Sequence, residues 1–91
     1  MRMTFEQKIL YQKIDEILWS DWDPIGVNVY EEARDEYYGY LPQIFGLKIH
    51  GANQETIAST LFKIETETMG LLRNIEHCRE IAGKIVELNS K

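Results

Sequence analysis

The sequence predicts an all-α protein, a small single-domain bundle of about four helices, and three observations carry that prediction. Apolar residues recur at three- and four-residue spacing along the longer stretches, proline, glycine and asparagine fall where those stretches should end, and no segment sustains the period-two alternation of a strand. At 91 residues the chain has room for one modest core and not two, so residues 1–91 are read as one domain.

The first helix is predicted from about residue 4 to about residue 20. Thr4 and Gln7 make a capping-box pattern, and Phe5, Ile9, Leu10, Ile14, Ile17, Leu18 and Trp22 then follow along one stripe. Asp23-Pro24 and Gly26 must stop this helix, because a residue before proline is pushed out of the helical region and glycine accepts positive φ. Residues 31–38 have moderate helical propensity and few aliphatic side chains to bury, which leaves either a short polar helix or an ordered loop. Pro42 fits the first turn of a second main helix over about 40–50, with Leu41, Ile44, Phe45, Leu47 and Ile49 as its apolar surface. Asn53 as N-cap and Gly70 as C-cap bound a third helix over about 53–69, with Ile57, Leu61 and Ile64 on one face. The fourth helix, about 72–89, carries Ile75, Cys78, Ala82, Ile85 and Leu88 on its stripe.

Charge narrows the partners. Fifteen acidic against ten basic residues give a net charge of -5, which disfavours nucleic-acid phosphates and anionic membranes and favours a protein with a basic surface. A single cysteine, Cys78, cannot form an intramolecular disulfide and fits a reducing compartment; the cytoplasm is expected. The N-terminus has no apolar signal core, and no apolar run approaches the roughly 20 residues that span a bilayer.

The residue types that carry catalysis do not fall into catalytic patterns. His50, His77 and Cys78 lack the paired spacing of metal ligands, so no metal and no cofactor is expected; His50 is placed to serve the end of a helix. Cys78 lies on an apolar stripe and is expected to be a buried, inert thiol. The serines lack a glycine elbow, and the glycines do not build a phosphate-binding loop. Glu65 sits at the border of a core-facing stripe and is expected to hydrogen-bond a tyrosine or a backbone amide. A hydrolase built on Glu65 or His77 would require a deep pocket containing both.

A binding role has better material. Trp22 continues the stripe of the first helix and belongs in the core, but Tyr37, Tyr38 and Tyr40 are three rings within four residues, so at least one must face solvent. Together with the neighbouring acids they suggest a partner-binding set of Asp21, Asp23, Glu31, Glu32, Asp35, Glu36, Tyr37 and Tyr38. In that set the carboxylates pair with basic groups and the tyrosines fill pockets. The plainer alternative is a solvated charge run.

Trp22-Asp23-Pro24-Ile25-Gly26 followed by Asp35-Glu36-Tyr37 resembles a family of small bacterial proteins of unknown function. The Tyr40, Pro42, Ile44 spacing and the stretch from Ile64 to Leu71 resemble it too, although residue 38 is Tyr where the family more often has Asp. Some members look like immunity proteins of contact-dependent growth inhibition or other toxin systems. The resemblance therefore implies a non-catalytic, cytoplasmic immunity protein that neutralises a cognate toxin, such as a nuclease, by binding it. The alternative is a housekeeping bacterial protein whose motif residues only organise the fold.

Overall fold

The computed structural model describes residues 3–71 and 74–89. Its elements are α1 (Phe5–Ile17), α2 (Leu41–Ile49), α3 (Gln54–Lys63) and α4 (Ile75–Val86), with no strand among the described residues. This is the predicted all-α architecture with four helices.

Three of the four helices start where a side chain satisfies a free amide. Thr4 Oγ1 accepts from the Gln7 amide at 3.1 Å and Gln7 Oε1 accepts from the Thr4 amide at 3.0 Å, closing the expected capping box on α1. Asn53 caps α3 through the Thr56 amide at 2.9 Å, and Asn74 caps α4 through the His77 amide at 3.3 Å. Pro42 stands in the first turn of α2, where it deprives the helix of no internal hydrogen bond.

The helix ends depart from expectation. The first and third helices were expected to run as α-helix to about residues 20 and 69, yet each closes in a five-residue π turn, Leu18–Trp22 after α1 and Ile64–Thr68 after α3. The Asp23 amide donates to the Leu18 carbonyl at 3.0 Å and the Met69 amide to the Ile64 carbonyl at 2.9 Å, the i→i+5 pairing that widens a helix. Gly70 then reverses the chain at φ +68°, and the Leu71 amide reaches back to the Glu65 carbonyl at 2.8 Å. Of the helix expected over about 72–89, Ile75–Val86 is helical, while 72 and 73 lie outside the described residues.

The core runs through all four helices. Ile14, Leu18 and Trp22 meet Leu41 and Ile44 of α2, Ile57 and Leu61 of α3, and Cys78, Ile81 and Ile85 of α4, all buried. The most extensive packing is between α3 and α4, where Gly83 leaves room for Gln54, whose amide donates to the Arg79 carbonyl at 2.9 Å. No helix of the described residues is long and apolar enough to cross a membrane.

Candidate functional site

A side-chain hydrogen bond joins the two π turns. The first directs Trp22 inward, leaving it 1% exposed, and its indole N–H donates to Glu65 Oε1 of the second at 2.7 Å. Glu65 is itself 3% exposed, deeper than its expected border position, and its partner is a tryptophan indole and not the tyrosine or amide expected. The Cys78 thiol also hydrogen-bonds Glu65, and burial together with that carboxylate pushes the thiol up to about 12. Cys78 is thus held protonated and unreactive. From the start of α4, His77 Nε2 lies 3.1 Å from the Trp22 carbonyl. A carbonyl only accepts, so Nε2 carries the proton; Nδ1 is 3.8 Å from the Glu80 carboxylate.

Beyond Trp22 the chain turns through Asp23 in the left-handed region at φ +30°, a conformation an aspartate tolerates when its side chain bonds locally. Asp23 Oδ1 accepts from the Val27 amide at 2.9 Å and Oδ2 from the Asn28 amide at 3.2 Å. The Tyr37 hydroxyl donates to Oδ1 at 2.6 Å and is in turn near the Ile25 amide, at 3.4 Å. Asn28 closes the loop by donating to the carbonyls of Trp19 and Ser20, both at 3.3 Å. Trp22 packs on Tyr37 at 5.3 Å and edge-on to Tyr40 at 6.3 Å between ring centres. Burial, then the bond to Asp23, raises the Tyr37 pKa well above the usual phenol range.

These contacts correct two members of the expected partner-binding set. Tyr37 is 3% exposed and works inside the fold, and Asp23 is half-buried with both carboxylate oxygens engaged within the loop. Asp21 is exposed on the first π turn and lies 3.4 Å from Lys84 of α4. Glu31, Glu32, Asp35 and Glu36 are exposed, with no ion pair among the described residues, and Tyr38 is half exposed. Residues 31–40 resolve the helix-or-loop alternative as a 3₁₀ turn, Glu31–Ala33, followed by linked turns such as Glu36 amide to Ala33 carbonyl at 2.9 Å.

Arg34 explains how this irregular segment is held. It is the one basic residue between Lys13 and Lys48, and it turns away from the acids beside it. Its guanidinium forms a two-pronged pair with Asp15 of α1, both arms at 2.9 Å, near Glu16 at 3.7 Å. It also stacks 5.2 Å from the Trp19 ring centre and 5.9 Å from that of Tyr38. The Asp15 bond raises the Arg34 pKa further. The result is an outward ridge whose four acids have no ion pair among the described residues and stand beside Val29, 77% exposed, which the sequence did not mark, and Tyr30, 56% exposed.

A second feature lies on the other side of Trp22. A cleft of about 440 Å³ is lined by Trp22, Asp23, Pro24, Glu65, Leu71, Asn74 and His77. It contains both Glu65 and His77, as the hydrolase alternative requires. The buried Cys78 thiol is engaged with Glu65, and Glu65 already accepts a hydrogen bond from the Trp22 indole. No group of three or more potential metal ligands converges among the described residues. His50 Nδ1, at the C-terminal end of α2, contacts the Gly46 carbonyl at 2.7 Å, a helix-end role.

Compared with known proteins, the chain matches no family model, no curated protein and no solved structure.

Proposed function

We propose that the chain is a non-catalytic binding protein that docks a basic partner protein through the ridge from Val29 to Tyr38, and that the partner is a cognate bacterial toxin, as the resemblance implies. The observation that supports this most is the pairing of exposed Val29 and Tyr30 with four acids that have no ion-pair partner among the described residues. An apolar anchor ringed by charges of one sign is how interfaces combine burial with steering. The ridge is also pre-ordered by Arg34 and by the Asp23–Tyr37 bond, which lowers the ordering cost of association.

The test is growth rescue. The chain is co-expressed with the toxin domain encoded beside its gene, as wild type and as a variant carrying Val29→Asp, Tyr30→Ala, Asp35→Lys and Glu36→Lys. Rescue by wild type and loss of rescue by a folded variant support the proposal. Cell death in the presence of wild-type protein removes the immunity reading, and rescue by the variant moves the interface elsewhere. A second reading, a housekeeping protein whose motif residues are structural, draws support from the inward roles of Trp22, Asp23 and Tyr37.

A further inference from the structure

We propose that the cleft between the two π turns and the start of α4 binds a small organic cation, an alkyl ammonium or guanidinium group, through the carboxylate of Glu65. This site is separate from the acidic ridge and does not depend on the toxin reading. Glu65 lines the cleft at 3% exposure, so it forms the inner wall, and its partners there are neutral donors, the Trp22 indole and the Cys78 thiol. No Lys or Arg of the described residues lies within ion-pair distance of it. A carboxylate withdrawn from water in this way gains more from a matching cation than an exposed one does.

The rest of the lining selects the class of ligand. Asn74 and His77 add polar edges, while Pro24 and Leu71 offer apolar surface for an alkyl body. Among the described lining residues there is no lysine or arginine to attract a phosphate or carboxylate. No group of three or more potential metal ligands converges among the described residues, and the lining sets the Glu65 carboxylate beside apolar surface, which suits an organic cation. The backbone adds to this: Trp22 and Glu65, which meet in the cleft, each stand on a π turn, a helix form frequent at functional sites.

The experiment uses the full chain, ¹⁵N-labelled, with n-butylguanidinium chloride as probe and sodium chloride at equal ionic strength as control. The readout is the Trp22 indole N–H signal, assigned with Trp19→Phe, because that N–H donates to Glu65. The proposal expects a saturable shift with a dissociation constant on the order of millimolar. It also expects Glu65→Gln, which keeps an oxygen acceptor for the indole, to weaken binding tenfold or more. Intermolecular Overhauser contacts from the butyl chain to Pro24 and Leu71 in wild-type protein decide the matter should Glu65→Gln fail to fold. A capped Gly-Arg-Gly tripeptide that binds at least as tightly assigns the cation to a protein side chain; binding of butylguanidinium alone assigns it to a free small molecule. A linear shift matched by sodium chloride, equal binding by Glu65→Gln, or absent Overhauser contacts overturns the site. So does binding that appears only after Arg73→Ala, since the chain would then supply its own cation.

Discussion

Tyr37 and Tyr38 are adjacent in sequence, each has an acid close by, and their environments are opposite. Tyr37 is sealed between Trp22 and the Asp23 loop with its hydroxyl on a carboxylate, whereas Tyr38 stands half exposed over Arg34 beside acids that face outward. The difference teaches that residue type alone did not assign roles in this segment. The anchors did: the π turn sets where Trp22 and Asp23 go, Asp23 captures Tyr37, and the neighbouring position is then forced outward. The inner region should therefore govern stability and the outer ridge association, and substitutions can separate the two.

The largest effect is expected at Trp22. Trp22→Ala removes a buried indole and leaves Glu65 without that donor, so stability should fall by about 3–5 kcal/mol. Urea denaturation measures it, and a loss near zero would mean that the buried node does not hold the fold. Alkaline pH comes next. Cys78 is raised from 9.0 to about 12 and Tyr37 also titrates upward, so the folded state keeps protons that the unfolded chain releases. Their stabilisation is complete below pH 9 and is lost as pH climbs through the thiol's value near 12, with a slope of about 1.4 kcal/mol per pH unit per group. The combined Cys78→Ala, Tyr37→Phe variant should flatten that slope; an unchanged slope would place the titrating groups elsewhere.

A smaller loss is expected at Asp23. Asp23→Ala deprives the Val27 and Asn28 amides and the Tyr37 hydroxyl of their acceptor and should cost about 1–3 kcal/mol. It should also speed hydrogen exchange at Val27 and Asn28; unaltered protection there would show that the loop holds without its carboxylate. The smallest effect on stability belongs to the ridge. Glu31→Lys with Glu32→Lys should move stability by no more than about 0.5 kcal/mol in either direction. The same pair should slow association with a basic partner at low salt, and stopped-flow mixing across salt concentrations reads that directly.

The helices were legible because each writes its boundaries in chemistry that acts locally. Thr4 with Gln7, Asn53, Pro42 and Gly70 make contacts within a few residues, so their roles could be read without knowing the fold. Trp22 was legible as core from its place on the stripe of Ile14 and Leu18. Glu65 was legible only as an unusual carboxylate, because its donor lies 43 residues earlier in the chain. The π turns were hidden for a different reason: a stripe of apolar residues looks much the same whether its last turn pairs at i+4 or i+5. The split between Tyr37 and Tyr38 had no periodic signal, since linked turns impose none. The sequence carries one direct clue to Asp23. An aspartate before Pro-x-Gly is a strong candidate to bond the amides that follow it, which would have drawn Asp23 inward from the start.

The paired π turns also make chain length a constraint in its own right. Each accommodates a residue more than an α turn across the same hydrogen bond, and one residue advances a helix by about 100°. Shortening Leu18–Trp22 by a single position would swing the indole around the helix axis and away from Glu65, and shortening Ile64–Thr68 would do the same to the carboxylate. Exposed positions such as Ser20 and Glu67 can change identity freely. The number of residues between Leu18 and Asp23, and between Ile64 and Met69, cannot.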